Sequence, residues 1–156
     1  MLAWVRRNPR PVALAVVAVV LIVGFFLVVA PLFSSSSTPT ADIAGAMPVS
    51  AVAGRQFEVD VGVDNTSYTT ISPMCVAAHV QGGLRPDYAI FQDVDRRSFN
   101  GDSACGGSLA GQASISVRLF FTATSAGPAG LTLTPADGAT LVGAGLSGAI
   151  TVAAAG

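Results

Sequence analysis

The chain has 156 residues, half of them apolar and 11% charged, with 8 basic and 9 acidic side chains and a net charge of −1. That length holds one domain, and the near-neutral balance excludes a nucleic-acid binder working through a basic field and a chain disordered by charge. Every basic residue is Arg and there is one His with two Cys. Lysine-amine catalysis and the Lys-bearing phosphate loop are therefore excluded, little is left for a metal site, and no cofactor is expected.

The first element is an apolar run. From Val12 to Ala30 no side chain is charged or hydrogen-bonding, and after Pro31 come Leu32 and Phe33. Nineteen helical residues rise roughly 28 Å, close to the hydrocarbon thickness of a bilayer. Segment 12–33 reads as one N-terminal transmembrane helix, an uncleaved signal anchor. Arg6, Arg7 and Arg10 precede it and the next basic residue is Arg55. The positive-inside rule places residues 1–11 in the cytoplasm and the remainder outside, in a single-pass plasma-membrane topology. The rival reading is a cleaved signal peptide, but the run exceeds the usual 7–15 apolar residues, and Pro31 would follow the cut directly.

Residues 34–46 open with Ser-Ser-Ser-Ser-Thr-Pro-Thr and read as a flexible linker. Beyond Met47 the period becomes two. Phe57, Val59, Val61 and Val63 alternate with Glu58, Asp60, Gly62 and Asp64, and Ile115, Val117, Leu119 and Phe121 alternate with Ser116 and Arg118. Each pattern is a strand with one buried and one wet face. Leu131 to Thr134 and Ile150 to Val152 add shorter strands, and 49–53, 74–80 and 88–94 are weaker candidates. About seven short strands with Gly, Pro, Asn and Asp between them predict an all-β, antiparallel β-sandwich over 47–156.

Cys75 and Cys105 allow one intramolecular disulfide, expected with Cα atoms about 5–6 Å apart. The bridge would tether the stretch 85–102, which holds seven of the seventeen charges, with Tyr88, Phe91 and Phe99 between them. Arg and aromatic residues dominate interface hot spots. Arg85, Tyr88, Arg96, Arg97 and Phe99 are therefore candidate partner-binding residues. A solvated loop with Phe91 and Phe99 turned into the core explains the same composition. Phe120 joins the candidates: with Phe121 inward it faces outward, to be covered by 85–102 or to meet a partner.

Several chemistries lack their residues. His79 is the one possible base for a serine hydrolase and no G-x-S-x-G motif accompanies it. Asp93, Asp95, Asn100 and Asp102 have calcium-loop character, opposed by Arg96 and Arg97 in their midst. Glu58 and Asp60 share a strand face without an opposing acid for glycoside hydrolysis. Asn65-Thr66-Ser67 is a formal glycosylation sequon.

Gly54-Arg55-Gln56-Phe57-Glu58-Val59-Asp60-Val61-Gly62-Val63-Asp64-Asn65 resembles the opening of bacterial surface sandwiches of the cohesin and Ig-like adhesion type. Leu119 to Thr124, Gly127 to Leu133 and Gly148-Ala149-Ile150-Thr151-Val152 resemble the closing third of cohesin-like domains. The resemblance implies an Ig-like or cohesin-like sandwich and a binding role, and it carries over no functional residue. The sequence thus predicts a non-enzymatic, membrane-anchored interaction module of the cell envelope, with a protein or polysaccharide partner and no nucleic acid. The alternatives are a carbohydrate-binding or cohesin-type module, disfavoured by the lack of Trp outside the membrane, and a pilin-like structural subunit, which would need a processing site before the helix.

Overall fold

The computed structural model describes residues 38–93 and 95–156; the predicted cytoplasmic tail, transmembrane segment and first part of the linker lie outside them. Among the described residues eleven strands form two sheets. They are β1 (Ala41–Gly45), β2 (Ser50–Val52), β3 (Gln56–Asn65), β4 (Met74–Gln81), β5 (Leu84–Phe91), β6 (Asp95–Ser98), β7 (Ser103–Cys105), β8 (Ser114–Ala123), β9 (Gly127–Asp137), β10 (Thr140–Leu141) and β11 (Leu146–Ala153). One sheet has the order β1-β3-β8-β5-β6, and the other β2-β11-β9-β4-β7 with β10 on β9. All pairs are antiparallel except β2 with β11.

The centre of the first sheet follows from the two strict alternations. In the β3–β8 register Val59 is opposite Leu119, Val61 opposite Val117 and Val63 opposite Ile115. All six are buried, as is Phe121 opposite the half-buried Phe57, while Glu58, Asp60 and Ser116 are exposed. Val76, Ala78, Leu131, Leu133, Ile150 and Val152 of the second sheet close the core from the other side. Burial of this apolar surface, worth about 25 cal/mol per Å², is the main favourable term. The fold is an all-β sandwich, as the alternation requires.

Three expectations need correction. Residues 41–45 are not linker: Ala41 to Gly45 pair with Asn65 to Val61 as an edge strand, with Ala41 fully buried. The stretch 85–102, open between a binding surface and a solvated loop with a weak strand over 88–94, has Phe91 and Phe99 turned to the core as the loop reading expects, but it is largely strand. Its first part is a β5–β6 hairpin, turning at Gln92 and Asp93 with φ of 50° and 61°. The described residues hold eleven strands rather than about seven, because short edge strands and this hairpin add to the alternating ones.

Cys75 and Cys105 are joined, and they are cross-strand partners in β4 and β7. Gly106 N donates to Met74 O at 2.8 Å, so the Cys pair occupies a non-hydrogen-bonded position. Strands approach most closely there, which explains a Cα–Cα distance of 4.0 Å instead of the expected 5–6 Å. The bridge ties the three-residue edge strand β7 to the interior of the second sheet.

Candidate functional site

The site is created by a β-bulge. In β5, Leu84 is buried and Pro86 is opposite the inward Phe121, so plain alternation would send residue 88 inward as well. The register instead slips between Pro86 and Tyr88, leaving Asp87 as the extra residue. Beyond the bulge Ala89 and Phe91 face the core, and Tyr88 and Ile90 face outward. A bulge re-aims side chains in this way, and Pro fits beside it because no ladder hydrogen is needed there.

Asp87 holds the bulge closed. Its Oδ2 accepts hydrogen bonds from Thr122 Oγ1 at 2.6 Å and Gln56 Nε2 at 2.8 Å, and its Oδ1 lies 3.1 Å from Arg85 Nη2. Burial pushes the Asp87 carboxyl upward, but the bonds from Thr122 and Gln56, together with the Arg85 charge, outweigh it. The carboxyl is held below its ordinary value of 3.8.

The re-aimed Tyr88 is opposite Phe120 of β8, and the two rings stack with centroids 4.5 Å apart and planes at 18°. The Arg96 guanidinium lies 3.7 Å from the Tyr88 ring centroid on the other side. Arg96, Tyr88 and Phe120 thus form a three-layer stack across β6, β5 and β8, with cation–π and offset-stacking contacts in sequence. Beside it Arg118 lies 3.5 Å from Glu58, and its Nε is 2.9 Å from Asp93 Oδ1. The latter is an ion-pair contact whose N–H is not aligned as a hydrogen bond. Towards β1 the face turns acidic: Asp42 is directly opposite Asp64, and Asp60 follows on β3.

The candidate residues therefore separate. Phe120, Tyr88 and Arg96 are brought together, and Phe120 is half-buried under the hairpin. Arg85 serves the bulge through Asp87. Arg97 is opposite the inward Ala89 at the sheet edge and pairs with Asp95 at 2.8 Å, so it is outside the stack. Phe99 follows β6, packs against the core and lies 6.0 Å from the Phe121 ring, so it too is outside. Asp87, Glu58, Asp93 and Arg118 were not among the candidates. The signal was present in the broken alternation of Leu84 to Phe91, which only a bulge reconciles with two buried ends.

The opposite outer face carries a shallow depression of about 620 Å³ lined by His79, Gln81, Thr132, Ser147 and small residues, with no carboxylate. Thr132 Oγ1 and Ser147 Oγ are hydrogen-bonded at 2.9 Å, and His79 Nε2 contacts Gln81 Nε2 at 3.5 Å. The acid that would orient a histidine base is missing there. Asp93 and Asp95 are taken up by Arg118 and Arg97, and no group of three metal-ligating side chains occurs among the described residues. Asn65 of the sequon is 2% exposed and its Nδ2 donates to the carbonyls of Thr69, Leu109 and Ala110, so the nitrogen is not open to a sugar.

No family model matches the sequence, and no curated protein matches it. Solved structures match in fold. AvmM, which catalyses macrocyclization in alchivemycin A biosynthesis, is 10% identical with a TM-score of 0.52, covering 76% of this chain and 89% of that one. A CARDB domain from Pyrococcus furiosus is 15% identical with a TM-score of 0.48 over 73% of this chain and 93% of that one. A cohesin module of a family 33 glycoside hydrolase from Clostridium perfringens is 14% identical with a TM-score of 0.40, covering 77% and 100%. At such identities the likeness concerns the fold alone.

Proposed function

We propose that this chain is a membrane-anchored, extracytoplasmic interaction module without catalytic activity, and that it binds a protein partner through the outer face of β8, β5 and β6. The observation that carries the reading is the stack of Arg96, Tyr88 and Phe120, aimed outward by a bulge that four side chains hold in place. Rigid aromatic and Arg side chains at the centre of a sheet face are the usual energetic anchors of protein interfaces. The apolar run 12–33 and the Arg asymmetry around it support the anchor and the outward topology.

A protein fits this face better than a polysaccharide. Sugars stack on open ring faces, but the Tyr88 ring is covered by Arg96 on one side and by Phe120 on the other. The remaining surface is charged. Asp42, Asp60 and Asp64 have no ion-pair partner among the described residues. Like charges directly opposite, as at Asp42 and Asp64, are unfavourable until a cation approaches. The partner therefore presents a basic patch beside a pocket or ridge that meets the stack.

Hydrogen exchange of the full chain tests the reading. The amides of β5 and β6 should exchange several-fold more slowly in native membranes than in the purified, detergent-held chain. Those of β4 and β11, on the opposite outer face, should not change. Slowing confined to β4 and β11 would move the binding face to the other sheet and refute the proposal.

A further inference from the structure

The chain enters the sandwich at one end, held on two sides: Thr66 N donates to Thr40 O at 3.0 Å, and Ala41 N donates to Val142 O at 2.8 Å. Two of the four exposed large hydrophobic side chains among the described residues flank this place, Tyr68 at 87% exposure and Leu141 at 61%. Tyr68 tops a loop that is rigidly built. Buried Asn65 donates to Thr69 O, Leu109 O and Ala110 O, and its Oδ1 accepts from Ser67 N at 3.1 Å and Ser67 Oγ at 2.7 Å. Gln112 Nε2 donates to Thr66 O at 2.7 Å and to Ser67 O at 3.2 Å. With the backbone on both sides so satisfied, the phenol ring projects from a fixed base. The three segments at this end, 65–71, 109–113 and 138–145, contain no charged residue.

We infer that this end of the domain rests on the lipid surface, with Tyr68 inserted among zwitterionic headgroups as an interfacial anchor. The inference rests on the reading of 12–33 as a membrane span. Because β1 begins at Ala41, only residues 34–40 separate that run from the sandwich. Seven residues reach at most about 25 Å extended and about 15 Å as a loose coil. The headgroup layer adds roughly 5–8 Å beyond the hydrocarbon on each side, so the loop end lies within reach of it. Tyr is favoured at that depth because its ring is apolar and its hydroxyl stays wet. The charges nearest this end are carboxylates, Asp137, whose Oδ1 accepts from Ser72 N at 2.9 Å, and the Asp42–Asp64 pair one position in from Ala41 and Asn65; with no Arg there, the end has no attraction for anionic lipid. The contact is therefore with neutral headgroups and insensitive to salt. The same tethering leaves the stack on the sheet face free for its partner.

The test uses the full chain in phosphatidylcholine vesicles, with single probe sites at Thr70→Cys beside the ring and, at the opposite end, Ala126→Cys, each with Tyr68 intact and with Tyr68→Ser. Each is labelled with an environment-sensitive fluorophore, and vesicles carry a headgroup nitroxide quencher. Both positions are exposed, so the fold tolerates the label. The expected result is quenching at 70 several-fold stronger than at 126, unchanged between 0.05 and 0.5 M salt and weakened several-fold by Tyr68→Ser. Equal quenching at both sites in chain that floats with the vesicles overturns the lipid contact and leaves the anchor standing. Quenching at 70 that salt abolishes overturns the neutral-headgroup assignment, and quenching at 70 that Tyr68→Ser leaves undiminished overturns the role of the ring. Chain that does not float with the vesicles overturns the anchor and the contact together.

Discussion

Truncating Phe120 to Ala isolates the energy of the stack. A fully buried Phe removes 150–250 Å² from water. The Phe120 ring is half-buried between Tyr88 and the sheet, so about 100 Å² is at stake. At about 25 cal/mol per Å² that is about 2.5 kcal/mol, an upper estimate because the unfolded chain is not fully extended. The same truncation of the fully buried neighbour Phe121 leaves a cavity and costs about 3–5 kcal/mol. Phe120→Ala should therefore lower the melting temperature by roughly 5–10 °C, and Phe121→Ala should leave little folded protein. A double-mutant cycle with Tyr88→Ala then extracts the stacking itself, expected at about 0.5–1.5 kcal/mol of coupling. Far-UV circular dichroism during denaturant unfolding reads both quantities, since it reports the sheets in every variant of the cycle. Additivity of the two truncations would refute the claim that the rings support each other. A Phe120→Ala cost equal to that of Phe121→Ala would refute the outward placement.

Three other perturbations follow from named contacts. Asn65→Ala strips five hydrogen bonds from a side chain that is 2% exposed. The carbonyls of Leu109 and Ala110 keep Ile71 N and Ala113 N as donors, so the substitution should cost about 2–3 kcal/mol by denaturant titration; a cost below about 1 kcal/mol would show the network to be unimportant. The depressed Asp87 carboxyl contributes stability that is present above the ordinary value of 3.8 and is lost as pH falls through its folded value. Asp87→Asn should accordingly flatten the acid limb of the stability profile, and an unchanged limb would count against the bulge lock. Replacing Cys75 and Cys105 by Ser opens a loop with a sequence separation of 30 and should cost about 3–4 kcal/mol, seen as loss of the folded state at lower denaturant; an unmoved midpoint would contradict a structural role.

How far the sequence carried the fold is clearest in the strands. β3 and β8 declared themselves because each keeps one unbroken alternation, and a one-residue slip would expose every Val of the set. β1 was hidden because Ala-Asp-Ile-Ala-Gly has little β-propensity and follows a Ser-Thr-Pro tract; it is held by pairing with β3 and not by its own preference. β9 extended beyond the two leucines because Pro128 and Pro135 reduce the strand signal, yet Pro135 O still accepts from Val142 N. β5 registers only as a weaker strand candidate over 88–94, four residues late, because the bulge at Asp87 resets the phase halfway through. That bulge also accounts for the incomplete view of the site. Composition pointed to 85–102, but which of its residues share a face depends on a one-residue slip that leaves no compositional trace. Phe99 and Arg97 therefore dropped out while Asp87 and Arg118 came in.

The central claim is that the face around the Arg96, Tyr88 and Phe120 stack is where a partner binds. Ser98 is opposite Tyr88 in β6, exposed and on that face, whereas His79 is exposed on the other sheet. A photo-crosslinking amino acid placed at either position in the full chain, and activated in the native envelope, tests the claim directly. The account predicts a discrete protein adduct from position 98, none from position 79, and loss of the adduct when Arg96→Glu inverts the outermost layer of the stack in a protein that still folds. An adduct from position 79 alone, or one from position 98 that survives Arg96→Glu undiminished, would contradict it.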